Sequence, residues 1–251
     1  MSPDEYIRSV LWKYALTTTH ITRVRQIAGV FSEIISKWAG QYINELKFSG
    51  SFAKGTAIAG STDVDLFVSL SSDFTWTLEA IYNNLLGYLR NYSPRPQNVS
   101  IGIKYEGISI DIIPAKKHPG NTNDHSLYRR KAKTWTQTNV DAHINLVRDS
   151  GRQNEIRTAK IWRNLNNLDF PSFYLELVVL EALYRRGKDQ LADNFLSVLK
   201  YIGDEFCDAR LEDPANSSNI ISDDLTDAEK AVIARAAKDS LSKKTWEEII
   251  R

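Results

Sequence analysis

Gly50-Ser51-Phe52-Ala53-Lys54-Gly55-Thr56, then Asp63-Val64-Asp65-Leu66-Phe67-Val68 after a short insert, is the stretch whose reading decides the fold. It joins a small-residue turn to a segment with strand-like alternation. Successive strand side chains point to opposite faces, so Asp63 and Asp65 project to one side, about 7 Å apart. Val64, Leu66 and Val68 face the other way, into a core. Two same-facing carboxylates beside a Gly/Ser turn with free backbone N–H groups can hold hydrated Mg²⁺ and a triphosphate together. A D-x-D on its own reads more simply as a solvated sheet face. Joined to the turn at this spacing, with apolar residues at the alternate positions, it carries the functional reading. Gly50 to Gly55 also satisfies G-x-x-x-x-G, but Thr56 stands where a P-loop needs lysine, which excludes that motif.

On the N-terminal side, Ser2-Pro3-Asp4-Glu5 has the cap, first-turn proline and early acids of a helix start. Apolar residues then recur at helical spacing from Ile7 to Trp38, as one long helix or two joined near Thr17-Thr18-Thr19. Residues 46–48 read as a short strand entering the turn, residues 56–62 as a loop or single helical turn, and residues 75–92 as a helix ended by Ser93-Pro94-Arg95-Pro96. Val99, Ile101, Ile103 and Tyr105 alternate; Glu106-Gly107 marks a turn, and Ile108 to Ile113 the returning strand of a hairpin. Asp111 sits on that strand between isoleucines, which is uncommon unless a carboxylate meets a metal, a cation or hydrogen-bond donors. Pro114 is expected to stop the strand.

Residues 116–133 are polar and basic, with Lys116, Lys117, His118, Arg129, Arg130, Lys131 and Lys133, and read as an exposed loop. Either a solvated surface or contact with phosphates or an oligonucleotide would account for them. From Val140 the pattern is helical: residues 140–149, 154–165, 172–185 (strongly apolar, hence central), 191–206 and 226–241, with a loop over 213–219. The chain therefore divides near residue 150 into a mixed α/β half, 1–150, and an all-helical half, 151–251.

Composition narrows the class. Hydrophobic residues make up 42% and charged residues 25%, as in an ordinary soluble globular protein. The length allows one large domain or two small ones. Lys+Arg 32 against Asp+Glu 31 leaves a net charge of +1, which argues against a surface devoted to binding polyanions. The single cysteine, Cys207, excludes an internal disulfide framework and a zinc site built from several cysteines. No signal peptide and no apolar stretch near ~18 residues are visible, so a cytoplasmic protein without membrane contact is expected.

Gly50-Ser51, Asp63-x-Asp65 and Asp111 together resemble the signature of the DNA polymerase β-like nucleotidyltransferase superfamily. The detail of GSFAKGT, DVD and Asp111-Ile112-Ile113-Pro114-Ala115 is similar to the branch holding oligoadenylate synthetases, archaeal CCA-adding enzymes and the bacterial CD-NTases, which make cyclic oligonucleotide signals in anti-phage defence. Thr158-Ala159-Lys160-Ile161-Trp162 resembles the helix whose lysine meets the donor triphosphate. Ser172-Phe173-Tyr174-Leu175-Glu176-Leu177 resembles a segment whose serine faces the phosphates. Asp213-Pro214, Asn216, Asn219 and a final helix ending near Trp246 resemble the C-terminal end of CD-NTases.

The resemblance implies an α+β fold: a polymerase β-like core, a small mixed sheet flanked by helices, plus a C-terminal helical bundle lobe, with the active site in the cleft between them. It implies that Asp63, Asp65 and Asp111 are the catalytic metal ligands for two Mg²⁺ ions, with Mn²⁺ able to substitute. Gly50, Ser51, Thr56, Lys160 and Ser172 would bind the nucleotide phosphates. Two ions ~3.5–4 Å apart are what in-line nucleotidyl transfer needs, and carboxylates converging from two strands suit them. Taken alone, Lys160 reads as a snorkelling lysine and Ser172 as a helix cap. His143 reads as surface or cap, and Trp135, Phe170 and Tyr174 as core packing before base stacking.

The implied activity joins NTPs, ATP among them, with release of pyrophosphate to make a cyclic di- or trinucleotide second messenger read by a downstream effector. The implied enzyme is a cytoplasmic monomer, with no nucleic-acid activator indicated. A linear product of the oligoadenylate-synthetase type is the main alternative, and an inactive nucleotide-binding scaffold is another. A CCA-adding enzyme would need extra domains to grip tRNA.

Overall fold

The structure is a computed structural model, and it describes residues 1–60 and 63–251. In chain order, α1 (Pro3–Lys13) and α2 (Thr18–Ala39) lead to β1 (Ile43–Phe48), a short helix α3 (Gly50–Lys54) and β2 (Val64–Leu70). Then come α4 (Leu78–Tyr88), β3 (Arg95–Pro96), β4 (Ile101–Tyr105), β5 (Ile108–Lys117), β6 (His125–Arg129) and β7 (Thr134–Thr138). The helices α5 (Val140–Ser150), α6 (Gln153–Leu165), α7 (Ser172–Ala182) and α8 (Leu191–Asp204) follow. A strand pair, β8 (Glu212–Asp213) and β9 (Asn216–Ile220), precedes α9 (Asp227–Leu241) and α10 (Trp246–Ile249). The last two residues of the loop expected over 56–62 lie outside the described residues.

The chain forms two compact units. One comprises residues 16–54 and the described part of 61–144; the other comprises residues 1–15, 55–60 and 145–251. The first forty residues are two helices, because the Thr17 side chain accepts a hydrogen bond from the His20 N–H and starts α2 afresh.

The first unit is built on a mixed sheet. Its order is β1-β2-β5-β4-β3, with β6 continuing from the far end of β5 and β7 beyond it. β2 and β5 run parallel; their neighbours are antiparallel. The helices α2 and α4 cover one face, where Phe31, Ile35, Ile81 and Leu85 pack on Leu66, Val68, Ile110 and Ile112. Asp65 lies on the opposite face, which is partly covered further along by Phe67, Ala115 and Leu127. The β4–β5 hairpin turns through Glu106 and Gly107, at φ +48° and +82°, the left-handed pair that a two-residue hairpin requires.

Three expectations fail here for stated reasons. β5 does not stop at Pro114 but runs on to Lys117. Pro114 falls between Ile112, the last residue paired with β4, and Ala115, the first paired with β6, so no partner on that side needs its missing N–H. The basic stretch 116–133 is not one loop: β5 runs into it as far as Lys117, and β6 within it, anchored by buried His125 and Leu127, pairs with β7 just beyond its end. The charges fall at the end of β6 and in the turn after it, and five residues are too few to show the alternation. Trp135, expected in a core, is 57% exposed on β7.

The second unit is helical. α7 is strongly apolar because most of it is enclosed: Tyr174, Leu175, Val178 and Val179 are fully buried, among Trp162, Phe195, Leu199 and Phe206. The Asp4 carboxylate of α1 accepts from the N–H groups of Leu191 and Ala192, at 3.2 and 2.8 Å, and so satisfies the open end of α8. The stretch 213–219, expected as a loop, contains the β8–β9 pair. Its strands are too short and polar to show a period.

Candidate active site

β2 and β5 are adjacent and parallel, in a register that pairs Asp65 with Asp111. Two carboxylates from separate chain segments thus become neighbours across one ladder. Asp63 precedes the first residue of β2, and its charge reaches Asp111. The Asp111 carboxyl is pushed above the usual carboxylate range, first by burial and then by the Asp63 charge. That mutual repulsion is what a bound cation relieves.

The Asp65 carboxylate points at α3, against the backbone of Gly50, where a Cβ would overlap it. Gly50 has φ +55°, a conformation glycine adopts without penalty. The Ser49 N–H donates to the Asp65 carbonyl at 2.8 Å, which locks the turn to β2. Ser51 follows Gly50 in α3.

Asp111 has a set of neighbours that no sequence pattern announced. Gln97 Nε2 donates to Asp111 Oδ1 at 3.0 Å, and the Ser100 hydroxyl donates to Gln97 Oε1 at 2.5 Å. The Tyr82 hydroxyl donates to the carbonyls of Gln97 and Ser100, at 2.9 and 2.8 Å, and Arg130 Nε to the Gln97 carbonyl at 3.1 Å. Gly102 pairs with Asp111, and a Cβ there would come within 2.7 Å of Gln97 Nε2. The glycine leaves room for the amide to cross β4. A lone glutamine in a turn carries no recognisable signal, so Gln97 is legible only once the strands are paired.

The donor set suits a hard divalent cation, since carboxylate oxygens are the ligands Mg²⁺ and Mn²⁺ take. Among the described residues, no group of three or more His, Cys, Asp or Glu side chains is gathered as a closed metal cage. Mg²⁺ is held by one or two carboxylates together with substrate phosphates and water, so an open arrangement is the one such an ion uses.

The other candidates fall in the helical unit. Thr56, from the end of the sequence motif, is fully buried there and donates to Glu176 Oε1 at 3.1 Å. Lys160 is 3% exposed; its ammonium donates to Thr56 Oγ1 at 3.0 Å and pairs with Glu176 at 2.7 Å. Ser172 is the first residue of α7, with Pro171 in the cap position before it; its Oγ accepts from Arg163 Nη1 at 2.9 Å. Phe170 and Tyr174 are buried in an aromatic cluster with Phe206.

No family model matches the chain. Over 156 residues it is 28% identical to the cyclic AMP-AMP-AMP synthase of Escherichia coli (strain MS 115-1), an alignment covering 54% of this chain and 49% of that protein. The chain thus spans about half the length of that curated relative. Among solved structures, E. coli MS115-1 CdnC with ATP matches with a TM-score of 0.79 at 20% identity, over 98% of this chain and 96% of that one. The Bradyrhizobium diazoefficiens CD-NTase CdnG in complex with GTP matches with a TM-score of 0.80 at 14% identity, over 96% and 90%. The α+β architecture read from the motifs is the one observed, and the fold of this chain is that of the CD-NTases.

Proposed function

We propose that the protein is a metal-dependent nucleotidyltransferase that joins NTPs, with release of pyrophosphate, into a cyclic di- or trinucleotide. The observation that carries the reading is the parallel pairing of Asp65 with Asp111, with the charge of Asp63 felt at Asp111. The similarity to a cyclic AMP-AMP-AMP synthase supports a cyclic product and ATP as a substrate. A role in anti-phage signalling rests on the resemblance alone.

In this reading Asp63, Asp65 and Asp111 hold two Mg²⁺ ions, or Mn²⁺ in their place. When bound, such ions neutralise charge on the transferring phosphoryl group and lower the pKa of the attacking hydroxyl. Gly50 and Ser51 offer backbone N–H groups and a hydroxyl to the β- and γ-phosphates. Gln97 keeps Asp111 oriented without neutralising it. Lys160, Thr56 and Ser172 serve the triphosphate from the helical unit, Lys160 exchanging part of its contact with Glu176 for phosphate.

The test is to incubate the purified protein with each NTP and with mixtures, plus Mg²⁺ or Mn²⁺. Products that survive phosphatase are then identified by mass spectrometry, with Asp63→Ala/Asp65→Ala as control. A resistant product with the mass of a closed ring, absent in the control, is expected. A ladder of phosphatase-trimmed linear oligomers would replace the ring with a chain. No product under any condition, from protein that binds NTPs, would favour a nucleotide-binding scaffold.

A further inference from the structure

The basic residues at the end of β5 have no part in the chemistry proposed above. In the parallel register of β2 and β5, Leu70 pairs with Lys116, five residues beyond the Asp65–Asp111 pair. At ~3.3 Å per residue, Lys116 is about 17 Å from the carboxylates, at the opposite end of the same two strands. A cavity of about 350 Å³ opens there, lined among others by Lys116, Lys117, His118, Ser126, Thr77 and Trp76. That is the size of a small-molecule pocket.

Its chemistry is one-sided. Among the described residues, no acidic side chain lines it. Lys116 and Lys117 are half-buried, and among the described residues neither forms an ion pair with a carboxylate. Lys116, His118 and Ser126 share the sheet face toward α4, because Lys116 pairs with Ser126 and residues two apart point the same way. His118 Nε2 and Ser126 Oγ are 2.8 Å apart, which orients the imidazole at the cavity wall. α4 begins at the same place, capped by the Thr77 hydroxyl on the Ala80 N–H.

An aromatic platform completes the pocket. Tyr42 stacks on Phe74 with centroids 4.6 Å apart, and Phe74 meets Trp76 at 5.0 Å. This stack holds Trp76 in place while 42% of its surface stays open. An anchored indole beside the Lys116 ammonium, which forms no ion pair among the described residues, is suited to a ligand with both a flat π-face and a phosphate.

We propose that this cavity is a second nucleotide site, distinct from the carboxylate site, in which Trp76 stacks a base and Lys116 binds phosphate. It would place a nucleotide, whether substrate or product, on the strands that carry the catalytic carboxylates. The proposal does not depend on the nucleotidyltransferase reading.

The test uses the full chain in EDTA, with ATP, adenosine and inorganic pyrophosphate as probes, read by calorimetry and tryptophan fluorescence. ATP is expected to bind the Asp65→Ala/Asp111→Ala protein as well as the unaltered one. Lys116→Ala should weaken ATP about tenfold, the worth of a hydrogen bond to a charged group. Trp76→Leu should weaken ATP and abolish the fluorescence change, and Trp76→Phe should restore affinity without the signal. Adenosine and pyrophosphate should each bind more weakly than ATP. ATP binding that survives Lys116→Ala and Trp76→Leu but not the Asp substitutions would overturn the proposal, as would no binding at all. Pyrophosphate binding as tightly as ATP, indifferent to Trp76→Leu, would reduce the pocket to a plain anion site and overturn it too.

Discussion

The Asp65 carboxylate occupies the space that a Cβ on Gly50 would need, and Gly50 itself sits at φ +55°. The turn and the strand acid are therefore one unit of structure. Gly50→Ala should cost about 1–2 kcal/mol from the left-handed backbone alone. It must also displace Asp65. Misplacement by about 1 Å is enough for a loss of about a hundredfold in turnover. Pyrophosphate release and thermal melting, measured together, check this; a Gly50→Ala protein of unaltered turnover would refute the placement.

Gln97→Leu removes the amide that donates to Asp111 at 3.0 Å and leaves the Ser100 hydroxyl without its acceptor. A hydrogen bond to a charged group is worth about 1.5–3 kcal/mol. The expected result is a rise of about tenfold or more in the Mn²⁺ concentration giving half-maximal activity, accompanied by a lower melting temperature because the buried Ser100 hydroxyl loses its partner. Mn²⁺ binding followed by electron paramagnetic resonance, without nucleotide, gives an activity-free reading. A shift in melting alone would make Gln97 a structural residue.

Lys160 and Glu176 form a buried ion pair 2.7 Å apart, with Thr56 bonded to both. Lys160→Met removes the ion-pair partner of a buried carboxylate and should destabilise by about 3–5 kcal/mol in urea denaturation. Lys160→Met/Glu176→Leu should recover most of that. If Lys160 also serves the triphosphate, the double variant will be stable yet show a raised KM for NTP. Full activity in the double variant would confine Lys160 to a structural role.

His125 is held neutral. Its Nδ1 lies 2.8 Å from the Asn123 carbonyl, which can only accept, so Nδ1 carries the proton and Nε2 accepts from the Ser69 hydroxyl at 2.8 Å. Burial pushes its pKa below the ordinary value; the bond to Asn123 opposes this, the Lys47 and Lys117 charges add to the lowering, and Asp141 opposes it. In the unfolded chain His125 titrates near 6.5. Below that pH the unfolded state takes up a proton that the folded state resists. Stability is therefore complete above about pH 6.5 and falls as the pH drops from there toward the depressed folded value. Denaturation midpoints between pH 7.5 and 5 should show this slope, and His125→Gln should reduce it.

Much of the architecture was legible because its causes are local. The alternation of Val64, Leu66 and Val68, the helical spacing after Val140, and the strongly apolar composition of α7 are each properties of a short stretch. Errors fell where a distant partner decides the outcome. Pro114 is tolerated in β5 because its neighbour changes there from β4 to β6, and no residue near Pro114 in sequence announces that. His125 and Leu127 anchor a hairpin whose charged residues looked like a loop.

The candidate site divides in the same way. Residue types and spacing mark Gly50, Ser51, Asp63 and Asp65, since a glycine turn and same-facing carboxylates are properties of adjacent residues; Asp111 is marked by its isoleucine neighbours and joined to them by the resemblance. Tertiary structure alone decided that Asp65 pairs with Asp111, that Gln97 reaches Asp111 across Gly102, and that Thr56 and Lys160 meet at Glu176. The physical reason is that strand pairing and burial join residues far apart in the chain. A side chain's partner, and so the charge it meets, is set by that pairing rather than by its neighbours in sequence.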